Sequence, residues 1–447
     1  MDRPAPAPQG SLFVIFLTVF IDLLGFGIVL PLLPIYGEQF ATQHGLTAAQ
    51  AGWLVGLLMA SFSAMQFLFL PVWGRLSDLY GRRPILLVGL AGSTLFYTLF
   101  ALATVWESLV WLFVARVGAG IAGATISTAQ AYIADTTSVA NRARGMALIG
   151  AAFALGFTVG PVIGAAALLV GVSGEVSPWP GYFAAGLSGA ALLLALGLLP
   201  ESKTPASGTA RHGLLDLAGL RVALTTSSIG LLLLTSFIVV LALAAFESTL
   251  SLVLKTLHDR ALAGSAPSGT LQAVISWARA LGYTSAADIR HAIVLGTFAY
   301  LGLVMTIAQG FLVRRLAGRT SERTMAVGGT LVATLSLILL SVAVQRDSYG
   351  LLCLGMALFV IGLAFVTPSL QSLISRRTSP AQQGHVLGVM QSLSSFARIA
   401  GPVLGIRLFA HSPQVPLWSA AATMAIAALM TVLAVRRGHD YAAPPGP

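Results

Sequence analysis

The chain reads Gly74-Arg75-Leu76-Ser77-Asp78-Leu79-Tyr80-Gly81-Arg82-Arg83-Pro84 between two long apolar stretches. Four side chains in this short segment carry a charge, although charged residues make up only 9% of the whole sequence. Charged side chains are costly inside a bilayer and collect where the chain leaves it. We therefore interpret the segment as a functional polar connection between two membrane spans.

The composition is that of an integral membrane protein. Apolar residues make up 56% of the 447 residues, against about 45–50% in ordinary globular domains, and the mean hydropathy is +0.87. Apolar runs longer than about 18 residues, the length of a transmembrane helix, recur along the whole chain. The first run extends to about Tyr36, which is too long for a signal-peptide core, so we interpret it as a span.

Gly, Pro and Arg residues divide the apolar runs into twelve helices. The first six are expected to begin near Ser11, Gln50, Pro84, Ser108, Arg142 and Gly181. The second six are expected to begin near Ser228, Ile289, Arg323, Ser348, Gln382 and Pro416. The sequence thus predicts an all-α membrane protein with twelve transmembrane helices.

The basic residues predict the orientation of these helices. With the N-terminus inside, 17 Lys and Arg residues fall in inner segments and five in outer ones. Four of the five outer residues lie in one long loop, where the positive-inside rule has little weight. Both termini are therefore predicted to be cytoplasmic, in a multi-pass protein of the cell (inner) membrane, and the net charge of +10 does not indicate nucleic-acid binding.

An internal repeat relates the two halves of the chain. At a constant offset of 241 residues, the matching pairs are Gln130 and Gln371, Ile133 and Ile374, Gly160-Pro161-Val162 and Gly401-Pro402-Val403, and Gly164 and Gly405. Such a period indicates duplication of helices 4–5 as helices 10–11. Two pseudo-symmetric bundles of six helices follow from it.

These features divide the chain into five parts. We predict a disordered N-terminus (1–10), an N-terminal six-helix bundle (11–199), a cytoplasmic linker (200–227), a C-terminal six-helix bundle (228–437) and a tail (438–447). The outer loop 257–288 carries apolar residues at helical spacing and predicts an amphipathic surface helix. Either a structural insertion or a functional lid would fit that pattern. Its apolar positions are Leu271, Val274, Ile275, Ala278 and Leu281.

The stretch from Gly74 to Arg83 resembles the signature loop of the major facilitator superfamily, Gly-x-x-x-Asp-x-x-Gly-Arg-Arg/Lys between helices 2 and 3. The principal positions all match, namely Gly74, Asp78, Gly81, Arg82 and Arg83. The resemblance implies a cytoplasmic gate that stabilises the outward-open state, with Gly81 allowing a tight turn. The corresponding segment from Gly310 to Arg323 has Arg314 near the aspartate position, which predicts an asymmetric latch.

Three further stretches resemble the tetracycline-efflux-like, twelve-span drug:proton antiporters of the same superfamily. Arg116 and Gly120 match a helix 4 motif associated with proton coupling. Gly156, Gly160, Pro161 and Gly164 match a helix 5 motif associated with antiport, although Gly-rich helix packing without transport would also explain it. Residues 20–34 resemble helix 1 of these transporters. The resemblance implies the major facilitator fold and an antiport function.

Four charged residues fall inside predicted spans, where a charge is a functional hypothesis by default. We interpret Asp22 in helix 1 and Glu247 in helix 7 as candidate proton carriers. Arg116 in helix 4 and Arg398 in helix 11 would adjust their proton affinity. Fixed structural ion pairs among the four residues are the alternative.

Five other polar residues complete the candidate site. Asp135, at the inner end of helix 4, is expected to join the gate, unless it is only a solvated helix end. Gln66, Gln130, Gln371 and Gln391 could face a substrate cavity, and hydrogen bonds between helices are an equally common role for such residues.

The sequence contains no phosphate-binding loop, His/Glu metal helix or nucleophile elbow, so we predict neither an enzyme nor a bound cofactor or metal. With Cys353 as the single cysteine, no intramolecular disulfide is possible. The expected function is proton-coupled efflux of small hydrophobic or amphipathic compounds, such as drugs, by a monomer working through alternating access. A sugar or organic-acid symporter or facilitator, or a non-transporting receptor or scaffold, is the alternative.

Overall fold

The computed structural model describes residues 10–137, 142–170, 176–202, 227–262, 269–316, 319–378 and 383–437. All but Gly10 of the predicted N-terminal tail, most of the linker 200–227 and the tail 438–447 lie outside the described residues. Helices dominate the described part, which contains no β-strand. The predicted all-α fold is confirmed.

The described residues of the first half form eight helices. Two predicted spans are each divided into two helices, the first at Leu30–Leu32 and the fourth at Ala124–Thr125. The helices are α1 Gly10–Val29, α2 Leu33–Gln43, α3 Ala48–Tyr80, α4 Arg82–Val105, α5 Leu109–Gly123, α6 Ile126–Thr136, α7 Arg142–Leu168 and α8 Trp179–Leu198.

The second half forms seven long or medium helices in the described ranges. They are α9 Ser227–Leu262, α10 Gly269–Ala280, α11 Ala286–Ile307, α12 Glu322–Gln345, α13 Tyr349–Arg377, α14 Gln383–Phe409 and α15 Val415–Arg437. After α11 the chain continues through a π-helical turn, Ala308–Val313, and one α-helical turn, Arg314–Leu316.

Eleven helical segments within the described ranges are long and apolar enough to cross a membrane. The twelfth predicted span corresponds to α14, which has 27 residues but is less apolar because Gln, Ser and Arg side chains lie near its middle. At about 1.5 Å per residue, its length is close to 40 Å. Helix α14 is therefore long enough to span a bilayer although its composition is more polar than that of the other helices.

The chain separates into two compact units. The first consists of Met1–Thr47, Ser61–Arg211 and Ile275–Leu303, and the second of Ala48–Ala60, His212–Val274 and Val304–Pro447. Each unit thus includes one short segment from the other half of the sequence. Close glycine contacts hold these segments: a Cβ on Gly302 would lie 2.6 Å from the Phe157 backbone in the first unit, and one on Gly56 would lie 3.1 Å from Val403 Cα in the second.

The same helix pairs pack together within each unit. In the first unit α1 packs on α7 and α8, and α4 packs on α5 and α8. In the second, α9 packs on α14 and α15, and α12 packs on α13 and α15. Ser108 and Ser348 cap the equivalent helices α5 and α13 through their side-chain oxygens. This shared pattern is the structural counterpart of the 241-residue repeat.

The amphipathic segment of the long loop forms the short helix α10. Leu271, Ile275 and Ala278 are buried, whereas Trp277 is 65% exposed. One face of this helix is therefore packed and the other carries a large exposed aromatic ring.

Candidate functional site

The charged signature segment is mostly helical, which differs from the loop expected from the sequence. Helix α3 continues through Gly74 and Asp78 to Tyr80, and only Gly81 separates it from α4. Gly81 has φ +96° and ψ 164°, a region almost restricted to glycine that costs other residues about 1–3 kcal/mol. An ion pair between Asp78 Oδ1 and Arg82 Nη2, at 2.8 Å, joins the two helices across this single residue.

Arg82 is the centre of the cluster and is only 7% exposed. Its Nε donates to Asp135 Oδ2 at 3.0 Å, and its Nη1 donates to Ser77 Oγ at 2.6 Å. The guanidinium therefore ties the end of α3 to the end of α6 and uses the planar fork of donors that arginine provides. The structure brings Asp135 into contact with the signature segment.

Glu201, which falls in the predicted linker 200–227, also belongs to this cluster. Its Oε1 accepts from the backbone N–H of Arg82 at 2.8 Å, and its Oε2 accepts from that of Arg83 at 3.1 Å. A carboxylate at the positive end of a helix satisfies donors that have no intrahelical partner. The sequence contained a signal for this contact. The first turn of α4 has no acidic residue of its own, and Glu201 is an acid just after the end of α8.

Arg83 completes the connection to α8. Its Nη2 donates to the carbonyl oxygen of Leu196 at 2.7 Å, near the C-terminal end of that helix. Arginine is favourable at this position because the last carbonyls of a helix carry partial negative charge. In the second unit Arg377 Nη1 donates to the carbonyl of Ala434, near the end of α15, at 3.0 Å.

The second unit contains an ion pair with the opposite charge arrangement. Arg376 Nη1 lies 3.2 Å from Glu322 Oε2, and Ser372 Oγ donates to Glu322 Oε1 at 2.7 Å. Arg376 is 241 positions after Asp135, and Glu322 is 240 positions after Arg82. The basic and acidic partners have thus changed places between the two copies.

Asp22 lies in α1 and is partly buried. Ser188 Oγ on α8 donates to its Oδ1 at 3.3 Å, and Ser93 on α4 is a second side-chain partner. Within the described residues the structure records no ion pair for this carboxylate. Hydroxyl groups, rather than a fixed cation, therefore surround the first candidate proton carrier.

Arg116 is 3% exposed, and its guanidinium carbon lies 4.7 Å from the centre of the Phe62 ring. The Phe62 ring is 5.1 Å from Phe26, which is 5.7 Å from Phe157. Tyr97 is within electrostatic range of both Arg116 and Asp22. Arg116 therefore lies against one end of a chain of three aromatic rings in the first unit.

Glu247 and Arg398 occupy the second unit. Glu247 is partly buried in α9, and Arg398 is exposed on α14. The two side chains interact electrostatically, without an ion pair within 4 Å in the described part of the chain. The two side chains thus interact without direct pairing in the described residues, and their part in proton coupling stays a prediction.

The glycines of the helix 5 motif bring α7 and α1 into backbone contact. A Cβ on Gly156 would lie 2.9 Å from Leu23 Cβ, and one on Gly160 would lie 2.8 Å from the Leu24 carbonyl. Similarly, a Cβ on Gly401, the counterpart of Gly160, would lie 2.6 Å from Ala244 Cβ on α9. Pro161 lies inside α7, and a Cβ on Gly164 would meet Leu295 at 3.2 Å. The motif therefore sets the packing of α7 against α1, which carries Asp22, and Gly401 does the same for α14 against α9, which carries Glu247.

The four glutamines have different environments. Gln66 Nε2 donates to the carbonyl of Gly123 at 3.3 Å, which is a hydrogen bond between helices. Gln130, Gln371 and Gln391 are exposed. The structure does not bring the four residues together within either unit.

The same helix packing in both units, charged residues inside the spans and a charged segment at the junction of α3 and α4 define a multi-pass membrane transporter fold. The family model of the Major Facilitator Superfamily matches residues 15–343 and 275–447. The chain belongs to this superfamily, as the sequence motifs predicted, and its members are transporters rather than enzymes.

Several similar proteins align with most of the chain. It is 29% identical to the class B tetracycline resistance protein of Escherichia coli over 401 residues, covering 89% of this chain and 88% of the relative. It is 30% identical to the Homo sapiens major facilitator superfamily domain-containing protein 10 over 450 residues, covering 90% and 88%. The crystal structure of the human organic anion transporter MFSD10 superimposes with a TM-score of 0.65 at 25% identity, covering 96% of this chain and 100% of that one.

Proposed function

We propose that the protein is a proton-coupled efflux transporter for small hydrophobic or amphipathic compounds, such as drugs. It would act as a monomer in the cell membrane, with both termini in the cytoplasm, by alternating access between its two bundles. The tetracycline resistance relatives support efflux of such compounds. The gate residues would control the balance between inward-open and outward-open states.

The observation that carries this proposal is the absence of a direct cation partner at both acids in the described structure. Asp22 meets Ser188 and Ser93, whereas Glu247 has only the longer-range interaction with Arg398. A carboxylate locked into an ion pair would stay ionised throughout a transport cycle. These two carboxylates can instead gain and lose protons, which favours coupling over fixed structural pairs.

Each acid also lies well inside its own helix. Asp22 is 12 residues from the start of α1 and Glu247 is 20 residues from the start of α9, which correspond to about 18 Å and 30 Å. Both positions are far from the predicted cytoplasmic helix ends.

Everted membrane vesicles test the coupling. Drug-driven proton movement should fall to background in Asp22→Asn or in Glu247→Gln. Glu107→Gln is the matched control, because Glu107 is exposed at a turn beyond α4. Full coupling in both carboxylate variants would overturn the assignment of proton carriers.

The substrate range is tested separately, by expressing the chain in an efflux-deficient host and measuring resistance across drug classes. Increased resistance together with lower intracellular drug supports efflux. Counterflow of a radiolabelled sugar would support the symporter or facilitator alternative. Purified protein that moves no compound in liposomes would support a receptor or scaffold.

A further inference from the structure

Arg116 lacks a counter-ion in the described structure. It is 3% exposed, and its Nε has no hydrogen-bond partner. The structure also records no ion pair for this side chain within the described ranges. Asp22, which also interacts electrostatically with Tyr97, is engaged by Ser188 instead.

In the described residues, the aromatic contact that favours the cation is with the Phe62 ring, whose centre lies 4.7 Å from the guanidinium carbon. A cation–π contact contributes about 0.5–2 kcal/mol, whereas removing an ion from water costs several kcal/mol. The ring therefore offsets only part of the cost of burying the guanidinium. An anion that arrives with a ligand would supply the missing interaction, with the bidentate geometry that arginine favours.

A chain of aromatic rings leads away from this cation. Phe62 of α3 meets Phe26 of α1 at a ring-centre distance of 5.1 Å, and Phe26 meets Phe157 of α7 at 5.7 Å. All three rings are partly exposed rather than fully buried. They can therefore still cover apolar ligand surface and pack against another ring.

Close helix packing fixes the distance between the cation and the rings. One turn after Arg116, a Cβ on Gly120 would lie 2.5 Å from the Phe62 carbonyl. A Cβ on Gly27 would lie 2.5 Å from the Gly156 carbonyl, on the helix that carries Phe157. Gln66 adds a polar amide beside Gly123, on the same side of α3 as Phe62.

We propose that Arg116, Phe62, Phe26 and Phe157 form a binding site for amphipathic organic anions that carry an aromatic ring. The carboxylate or sulfonate of the ligand binds the Arg116 guanidinium, and its ring packs among the three phenylalanines. This inference rests on the proposed function, because it names which small amphipathic compounds the transporter would carry.

Three probes that differ in charge and share one ring system test the site. They are 2-naphthoate, 2-naphthamide and 2-naphthylmethylammonium, titrated calorimetrically into the detergent-purified full-length protein. The anion should bind at least about tenfold more tightly than the amide, the size expected of a hydrogen bond to a charged group. The ammonium probe should bind most weakly.

Variants assign the effect to residues. Arg116→Gln should remove the preference for naphthoate over naphthamide, while Arg346→Gln, at an exposed arginine, should retain it. Phe62→Leu should weaken all three probes by roughly three- to tenfold, because aromatic packing does not depend on ligand charge. The melting temperature of each variant shows whether it is folded.

The outcomes separate this inference from the proposed function. Tighter binding of the ammonium probe, an unchanged anion preference in Arg116→Gln, or no binding of any probe would overturn the site. If Arg116→Gln fails to fold, the relative affinities of the three probes for the unaltered protein still test whether the site prefers an anion. Because binding is measured without a gradient, anion binding with no proton-coupled movement in vesicles would contradict the coupling and leave the site intact.

Discussion

The carboxylate of Glu201 caps the helix that begins at Arg82, with its Oε1 accepting from the Arg82 backbone N–H at 2.8 Å. The same carboxylate binds the next N–H group, at Arg83. A residue beyond the sixth predicted span thus fixes the start of the third. This link explains why the signature segment can join α3 and α4 through the single residue Gly81.

Glu201→Ala should destabilise this end of the bundle by about 1 kcal/mol, since two helix donors lose their acceptor. We expect a lower midpoint of thermal unfolding in detergent. Glu107→Gln, at an exposed acid, should leave the midpoint unchanged. Equal midpoints for Glu201→Ala and the unaltered protein would contradict the capping role.

Gly81→Ala should be far more disruptive than Gly74→Ala, although both glycines belong to the signature. Gly81 has φ +96°, and an added Cβ would lie 2.5 Å from Glu201 Oε2. At Gly74 an added Cβ meets nothing within 4 Å in the described structure. The backbone conformation alone costs a non-glycine residue about 1–3 kcal/mol at Gly81, so the yield and the thermal midpoint should fall in that variant and stay near the original in Gly74→Ala.

Gly27→Ala should separate α1 from α7. A Cβ at Gly27 would lie 2.5 Å from the Gly156 carbonyl, and backbone atoms cannot move aside as a flexible side chain can. Such overpacking typically costs about 1–3 kcal/mol. Gly186→Ala on α8 is the control, since its Cβ meets nothing within 4 Å. Comparable unfolding midpoints in the two variants would show that the close approach is not required.

Exchanging the charges of Glu322 and Arg376 should restore most of what either single reversal removes. The pair is partly exposed, at 31% and 56% for the two side chains, so the interaction contributes roughly 0–1 kcal/mol. Single reversals place like charges together, whereas Glu322→Arg with Arg376→Glu recreates an attractive pair. A double-mutant cycle on thermal midpoints measures the coupling between the two residues. If the effects of the two single reversals simply add in the double variant, the pair contributes no interaction energy.

Much of the fold was readable from the sequence because a bilayer imposes strong rules. Apolar length predicted the spans, and the repeat predicted that the same helices pack in both units. The glycines of the helix 5 motif predicted close packing, although not that the partner would be α1. Helix boundaries were less accurate at the signature segment, where the Asp78–Arg82 ion pair and the Glu201 cap extend regular structure into a polar stretch.

The candidate site was only partly predictable. The charged residues inside spans stand out because such charges are rare, but their partners come from distant parts of the chain. Ser188 lies 166 positions from Asp22, and Glu201 lies 119 positions from Arg82. No pattern among neighbouring residues predicts such contacts.

The sequence by itself determined that this chain is a helical, twice-repeated membrane transporter of the major facilitator superfamily, because hydropathy, charge placement and motif spacing are properties of neighbouring residues. Only the tertiary structure decided what each charge meets. It gives Asp22 hydroxyl partners and Arg116 an aromatic ring, reverses the polarity of the Arg82–Asp135 pair in Glu322–Arg376, and brings Glu201 to the start of α4. These pairings depend on how helices pack, and packing joins residues that the sequence keeps far apart.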